Sequence, residues 1–199
     1  MSKILLASNN KSKLAEVRAA LSACGYEVVS PFELGLHIDP GETGATYREN
    51  SYIKALAFSQ TSALPVISDD SGFEVEALGG KPGLFSSRFA AEQGGDYEKA
   101  GRALNEMLGD SKNRKAKFHC CICFLKSPDE EPLYFEGDFP GTLLSKSSGH
   151  GGFGYDPYFH SEELDLDMGL ASPEIKSQYS HRAKALKKLV EYLNRAAEQ

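Results

Sequence analysis

The first thirty residues change from a strand-like to a helix-like pattern and back, and this order constrains the fold more than any other feature. Residues 3–8 (KILLAS) form a short apolar run that predicts a buried strand. Apolar side chains at helical spacing follow as far as Cys24, Gly25 offers a helix stop, and residues 26–30 predict a second strand. Parallel strands need a long crossover, usually a helix, so we expect the chain to open a parallel sheet.

The rest of the chain continues with helices and then becomes rich in strands. Thr46 and Glu49 form a capping-box pattern. The predicted helices are residues 46–62 and 97–108, a short one opened by Ser172 and Pro173, and a last one from about Ser180. The predicted strands are residues 65–70, 73–78, 115–126, 132–138 and 141–145, with a turn cluster at 79–83 (GGKPG). We therefore predict an α/β fold in one domain, residues 1–199, with two lobes and a cleft between them.

Composition excludes several classes of protein. The net charge of −6 argues against a protein that binds nucleic acid through its phosphates. No apolar run approaches the roughly 20 residues of a membrane span, and the first residues do not match a signal peptide. The four cysteines lack the spacing of a zinc site, and we interpret them as reduced, buried residues of a cytoplasmic protein.

A first candidate site follows the first predicted strand, in the segment from Ser8 to Lys13. Free backbone N–H groups at a helix start favour an anion, and Lys13 adds a full positive charge there. An ordinary solvated helix start capped by Asn10 is the alternative. The segment is not a P-loop, because GxxxxGK[ST] is absent.

A second candidate is the pair Asp69 and Asp70, at the end of an apolar strand. Adjacent carboxylates there are costly unless a cation or hydrogen-bond donors compensate them. A hard divalent ion held by these carboxylates and by phosphate oxygens is the natural compensation, and Glu42 could add a third carboxylate. A turn with an aspartate cap is the alternative.

Two further candidates lie in the last third of the chain. Residues 149–156 (GHGGFGYD) combine glycines that permit close backbone approach, a ring that can stack on a base, and Asp156 as an acceptor for a base edge. Lys176, His181 and Arg182 could donate to a base carbonyl or a phosphate. A flexible surface loop and ordinary surface charge are the respective alternatives.

Together these candidates supply what a nucleoside triphosphate needs, and their order along the chain is that of a known family. The motifs are SxNxxK, ETGxTxxENxxxKA, SDDSG, GGKPGxxS, GGFGYDPxF and KxxxSHR. By these motifs the chain, from about residue 3 to 189, resembles the inosine triphosphate pyrophosphatase family and looks like a bacterial member. The resemblance implies an elongated mixed β-sheet flanked by helices, with two lobes and an active-site cleft between them. It also implies a homodimer that uses Mg²⁺ and cleaves ITP, dITP and XTP, in preference to ATP and GTP, to the monophosphate and pyrophosphate.

The resemblance also implies roles for individual residues. Asp70 corresponds to the general base and, with Glu42, to the metal ligands, while Asp69 and Lys13 complete the implied catalytic set. The implied substrate contacts are Ser8, Asn10, Lys13, Lys54 and Ser71 at the phosphate side, and Phe153, Gly154, Tyr155, Asp156, Lys176, His181 and Arg182 at the base.

This chain departs from the family pattern before SHR, at Gly169-Leu170 and at Ile175. Two other functions fit the sequence: a pyrophosphatase for pyrimidine or modified nucleotides, and a nucleotide-binding module without catalysis. The GGFGYDP and SHR motifs argue against the first. The intact carboxylate and lysine set argues against the second.

Overall fold

A computed structural model describes residues 2–197, and over these residues the chain forms a mixed α/β fold. The α-helices are α1 (Lys11–Leu21), α2 (Tyr47–Ser62), α3 (Ser86–Glu92), α4 (Tyr97–Leu108), α5 (Pro173–Tyr179) and α6 (His181–Ala197). The strands are β1 (Ser2–Leu6), β2 (Tyr26–Val29), β3 (Val66–Val75), β4 (Lys81–Gly83), β5 (Lys115–Leu125), β6 (Leu133–Leu143), β7 (Phe159–Ser161) and β8 (Leu166–Asp167).

The strands form one mixed sheet. The hydrogen-bonded order is β2-β1-β3-β5-β6-β7-β8, and β4 pairs with β3. Strand β1 is parallel to β2, with Ile4 opposite Val28, and parallel to β3, with Leu5 opposite Val66. Strands β6, β7 and β8 pair antiparallel. The predicted parallel opening and the predicted mixed sheet are both confirmed.

Local capping explains where three helices begin. The Asn10 side chain accepts hydrogen bonds from the backbone N–H groups of Ser12 and Lys13 and so caps α1. Thr46 caps α2 by accepting from the N–H of Glu49, and Ser172 caps α5 ahead of Pro173. These short-range bonds satisfy N–H groups that have no partner inside a helix, and they confirm the predicted helix starts.

Two predicted strand breaks are wrong. Strand β3 runs without interruption from Val66 to Val75, although Ser71-Gly72 was expected to separate two strands. Gly72 is buried and Phe73 pairs with Gly83 of β4, so pairing and burial override the turn tendency of Ser-Gly. Strand β6 likewise continues through Pro140, where two strands were predicted. Strand β4 replaces part of the predicted turn cluster.

The chain divides into two compact units with separate cores. The first unit comprises the chain up to Asp70, Cys120–Gly137 and the chain from Arg182 onward; the second comprises Ser71–His119 and Asp138–His181. In the first unit, helices α1 and α6 pack against one cluster of buried sheet side chains. Helix α2 packs against a second, separate cluster of buried sheet side chains. In the second unit, α4 packs with β3, β5 and β6 around the buried rings of Phe73, Phe139 and Phe159. The cleft between two lobes stays a prediction.

Two features bear on the predicted class of protein. Within residues 2–197 there is no helix whose length and apolar character would let it cross a membrane. All four cysteines are free thiols, and Cys120, Cys121 and Cys123 are buried in β5. Burial raises the pKa of the Cys123 thiol to about 12, so this thiol stays protonated and packs as a small apolar group.

Candidate functional site

Asp69 is a buried charge of the first unit. Its side chain is 4% exposed and contacts two cations: Lys13 Nζ lies 2.9 Å from Oδ1 and Arg182 Nε lies 3.1 Å from Oδ2. Burial disfavours the charged carboxylate, but Lys13 and Arg182 outweigh burial and hold the pKa of Asp69 well below its usual range. Asp69 is therefore a fixed negative charge that positions a lysine and an arginine.

Arg182 lies at the start of α6, as predicted, and its guanidinium is held by two carboxylates. Besides the bond to Asp69, Nη1 lies 2.9 Å from Glu16 Oε2, and the side chain is 13% exposed. This arrangement makes Arg182 a partner of Asp69 and Glu16. Its predicted contact with the purine stays a prediction.

Asp70 is buried in β3 but carries a weaker set of partners than Asp69. Asn50 Nδ2 donates to Oδ2 at 3.1 Å, and Lys54 Nζ lies 3.4 Å from Oδ1. Burial raises the pKa of Asp70, and the Lys54 charge and the Asn50 bond offset this effect only in part. Of two neighbouring carboxylates, one is thus locked in its charged form and the other is closer to the range in which a base can accept a proton.

Lys54 joins Asp70 to Glu42. Its ammonium donates to Glu42 Oε1 at 3.0 Å and to the backbone oxygen of Asp69 at 2.7 Å, in addition to its contact with Asp70. Burial works against the charged form of Lys54, but the carboxylates of Asp70, Asp69 and Glu42 outweigh it and raise the pKa. Helix α2 explains the placement, because Asn50 and Lys54 are four residues apart and share one helix face.

Glu42 and Asp70 are the predicted metal ligands, and the donor set at this point can be compared with what a divalent ion needs. Over the described residues, no three or more His, Cys, Asp or Glu side chains cluster as a metal cage. Glu42 and Asp70 instead share the Lys54 ammonium as their counter-ion. Mg²⁺ is usually bound by one or two carboxylates together with substrate phosphates, so the donor set suits it.

The predicted phosphate segment forms the start of α1. Ser8 Oγ accepts from the Asn10 N–H at 3.2 Å, and Asn10 Oδ1 caps the helix. The Lys13 ammonium donates to Asp69, so the start of α1 lies next to the first of the two adjacent carboxylates. The solvated-cap alternative accounts for Asn10 in this structure, and phosphate binding by Ser8, Asn10 and Lys13 stays a prediction.

The predicted base-binding residues of the second unit form a connected loop. Asp156 Oδ2 accepts from the Phe153 N–H at 2.8 Å and from Lys176 Nζ at 3.0 Å. Gly152 has φ +89°, which side chains rarely adopt, and a Cβ there would lie 2.8 Å from Asp156 Cβ, so this position favours glycine. The Phe153 ring is 65% exposed and Gly154 has φ +66°. Asp156 thus organises the loop around an exposed ring.

Three other residues that were predicted to contact the substrate have different surroundings in the structure. Tyr155 is 2% exposed, its ring stacks on Phe73 at 5.1 Å, and its hydroxyl donates to the backbone oxygen of Ser86. The ring of Tyr155 is therefore a core element. The His181 ring stacks on Phe118 at 5.1 Å, and Ser71 continues β3 directly after Asp70. Substrate contacts by these residues stay predictions.

Sequence reasoning missed Asn50, Glu16 and Tyr97. Asn50 is part of the quoted ENxxxKA motif and lies one helical turn before Lys54, so helical spacing could have found it. Tyr97 contacts both Phe153 and Tyr155, with ring centroids 5.8 Å and 5.1 Å apart. No local signal identifies Glu16 or Tyr97, because their partners are distant in sequence.

Comparisons with known proteins find relatives that match nearly the whole chain. The model of the Ham1 family matches residues 4–192. A Photorhabdus laumondii protein named dITP/XTP pyrophosphatase is 38% identical over 98% of this chain and 100% of that protein. A Haemophilus influenzae protein of the same name is 42% identical over 92% of this chain and 95% of that protein.

Solved structures of the same family superpose closely. The Ham1 protein of Staphylococcus aureus has a TM-score of 0.89 and 37% identity, covering 100% of both chains. A HAM1 protein of Coxiella burnetii has a TM-score of 0.92 and 35% identity over 98% of this chain and 100% of that one.

Proposed function

The chain belongs to the Ham1 family, and we propose that it hydrolyses the noncanonical purine nucleoside triphosphates ITP, dITP and XTP to the monophosphate and pyrophosphate. It is a hydrolase that acts on nucleoside triphosphates.

The contrast between Asp69 and Asp70 is the observation that carries the proposal. Asp69 is neutralised by Lys13 and Arg182, whereas the partners of Asp70 are the Asn50 amide at 3.1 Å and the more distant Lys54 ammonium at 3.4 Å. Asp70 therefore orients a water molecule and accepts its proton while the water oxygen attacks the α-phosphorus. The bond from the α-phosphorus to the bridging oxygen breaks, and pyrophosphate leaves with the bonding electron pair.

The surrounding cations balance the charge of the substrate. A triphosphate cannot approach Glu42, Asp69 and Asp70 without positive charge, and Lys13 and Lys54 supply two ammonium groups there. Glu42 and Asp70 would hold Mg²⁺, which when bound neutralises phosphate oxygens and polarises the phosphorus. Lys13 and Lys54 then stabilise the charge that develops on the leaving pyrophosphate.

Base selection rests on the residues near Phe153. The exposed Phe153 ring stacks on the purine, and Lys176, which Asp156 orients, donates to the 6-oxo group with His181 and Arg182. ATP presents a 6-amino donor at the same position. A buried donor that faces another donor costs about 1–3 kcal/mol, so ATP binds less well.

Assembly and location complete the proposal. We propose a homodimer, as the resemblance to the family implies, and a cytoplasmic location. The four free cysteines support a reducing compartment.

The decisive experiment compares pyrophosphate release from XTP and dITP in Mg²⁺ and in EDTA, for the wild type, Asp70→Asn and a control. Asp110→Asn makes the same change at an exposed aspartate outside the site. We expect activity that EDTA abolishes and Mg²⁺ restores. We also expect Asp70→Asn to lose at least about a hundredfold in kcat, the usual minimum for a general base, and Asp110→Asn to lose nothing. An Asp70→Asn enzyme with wild-type kcat would refute Asp70 as the base.

A further inference from the structure

Asn50 is a buried amide near the start of α2, and the two ends of its side chain contact different parts of the chain. The residue is 1% exposed. Its Oδ1 accepts from the backbone N–H of Gly44 at 2.8 Å, and its Nδ2 donates to Asp70 Oδ2 at 3.1 Å. Because a backbone N–H only donates, the atom that faces Gly44 must be the amide oxygen, and the NH₂ group must therefore face Asp70. The amide joins the loop before α2 to a carboxylate of β3.

The loop before α2 packs closely enough to fix the orientation of this amide. A Cβ at Gly44 would lie 2.6 Å from Glu49 Cβ and 2.9 Å from the Asn50 backbone nitrogen, so a larger residue would push the loop away from the helix. The next N–H, that of Ala45, donates to Glu49 Oε2 at 2.5 Å, and Thr46 caps the helix. These bonds hold the Gly44 N–H against the Asn50 oxygen. The group that orients the amide is therefore part of the main chain.

The Asn50 amide in turn restricts the rotation of the Asp70 carboxylate. The last torsion of an aspartate side chain has a broad range of orientations, so a carboxylate needs outside bonds to keep one of them. The bond from Asn50 holds Oδ2, and Oδ1 then lies on the side of the Lys54 ammonium, 3.4 Å away. A neutral amide fixes this direction without adding a further positive charge beside the carboxylate.

We propose that Asn50 is a positioning residue, which holds Asp70 Oδ2 so that Oδ1 faces the water that attacks the α-phosphorus. This inference rests on the proposed function, since it assumes that Asp70 is the base. A misplacement of about 1 Å at a reacting group can cost about a hundredfold in rate. Because Asn50 acts through Asp70, its loss should affect the step at the phosphorus more than the binding of the nucleotide. The expected signature is a lower kcat at nearly constant KM.

The test compares Asn50→Leu, Asn50→Asp, Asp70→Asn and the double variant Asn50→Leu/Asp70→Asn with wild type. Leucine has a similar volume and removes both hydrogen bonds. Aspartate keeps an acceptor for the Gly44 N–H but places an oxygen where the donor to Asp70 was. We measure kcat and KM with dITP at saturating Mg²⁺, the thermal midpoint, and crystal structures of wild type and Asn50→Asp.

Asn105→Leu is the matched control. The Asn105 side chain also connects separate segments, because Nδ2 donates to the backbone oxygens of Gly101 and Leu144 at 2.9 Å and 3.0 Å, and Oδ1 accepts from Arg114. We expect this variant to have a lower thermal midpoint and a kcat within about twofold of wild type. The comparison separates a loss of stability from a loss of positioning.

For Asn50→Leu and Asn50→Asp we expect kcat to fall about tenfold to a hundredfold and KM to change less than about twofold, since a hydrogen bond to a charged group is worth about a factor of ten or more. The double variant should have the kcat of Asp70→Asn alone, because both substitutions remove the same function. In the crystal structure of Asn50→Asp, the Asp70 carboxylate should be rotated from its wild-type orientation, because the two carboxylates repel each other.

A wild-type kcat in Asn50→Asp would overturn the inference, because the contact with Gly44 would then be the whole role of Asn50. So would a rise in KM as large as the fall in kcat, or a double variant tenfold slower than Asp70→Asn. If Asn50→Leu does not fold, Asn50→Asp decides by the same measurements. If wild type released no pyrophosphate from dITP, the proposed function would fail by itself. The crystal structures would still decide whether Asn50 orients Asp70, and an unrotated carboxylate in Asn50→Asp would refute it.

Discussion

Replacing Arg182 with methionine should destabilise the protein far more than replacing an exposed arginine. Methionine keeps much of the side-chain volume but removes the donors to Asp69 and Glu16, which now lie 3.1 Å and 2.9 Å from Arg182 nitrogens. Asp69, 4% exposed, would keep Lys13 as a partner but lose one of its two direct ion pairs.

The size of the effect follows from the burial of this pair. Removing one partner of a buried ion pair costs about 3–5 kcal/mol, and because Lys13 stays, we expect the lower end, about 3 kcal/mol. For a chain of this size, 1 kcal/mol moves the thermal midpoint by about 2–4 °C, so the midpoint should fall by about 6–12 °C.

Arg18→Met is the control for this substitution. Arg18 pairs with Glu33 at 2.8 Å, but the two side chains are 44% and 43% exposed. Such surface pairs contribute about 0–1 kcal/mol. Far-UV circular dichroism in urea and on heating measures both variants, because the chain has no tryptophan for fluorescence.

The pH dependence gives a second check on the same pair. The pKa of Asp69 is lower in the folded than in the unfolded state, so its ion pair contributes stability above the unfolded value of about 3.9. That contribution begins to be lost as the pH falls below this value and is fully lost only below the folded-state pKa of Asp69. The gap between wild type and Arg182→Met should therefore shrink between about pH 5 and pH 3. A gap below about 1 kcal/mol at pH 7, equal to that of Arg18→Met, would refute the reasoning.

Three further predictions concern single residues. Lys13→Ala should weaken the binding of all triphosphates alike. In steady-state kinetics the ITP-to-ATP ratio of kcat/KM should therefore change by less than about tenfold, or ~1.4 kcal/mol. A larger change would show that Lys13 takes part in base recognition. Phe153→Ala should raise KM for every purine substrate by a factor equivalent to about 1–3 kcal/mol. The thermal midpoint should stay unchanged, because Phe153 is 65% exposed. An unchanged KM would show that Phe153 does not bind the base. Gly101→Ala should lower the thermal midpoint, because a Cβ there would lie 2.2 Å from the Tyr158 ring. Overpacking costs about 1–3 kcal/mol, which exceeds the gain of about 1 kcal/mol from the higher helix propensity of alanine. A higher midpoint would contradict this balance.

Local patterns predicted much of the fold because the interactions behind them are short-range. The caps at Asn10, Thr46 and Ser172 bind N–H groups two or three residues away, so their sequence signatures suffice. The break expected at Ser71-Gly72 failed for the opposite reason. There, pairing with a distant strand and burial decided the backbone conformation, and neither is written in the local sequence.

In the candidate site, too, some residues were identified from the sequence, while other contacts are visible only in the folded structure. The carboxylate pair and the lysine of α2 were identified from the sequence, and the structure brings Glu42, Lys54 and Asp70 together. The bond from Arg182 to Asp69 joins residues 113 positions apart, and only the tertiary fold shows it. Tyr155 illustrates a different difficulty: an aromatic residue in a glycine-rich loop can stack on a ligand or on the core, and its spacing does not say which.

One measurement tests the central claim most directly. An equimolar mixture of XTP and ATP is incubated with the enzyme and Mg²⁺ in water labelled with heavy oxygen, and the products are identified by mass spectrometry. Attack on the α-phosphorus predicts that the xanthosine monophosphate carries one heavy oxygen, that the pyrophosphate carries none, and that most of the ATP remains. Label in pyrophosphate or in free phosphate, a nucleoside diphosphate product, or equal consumption of the two nucleotides would contradict the account.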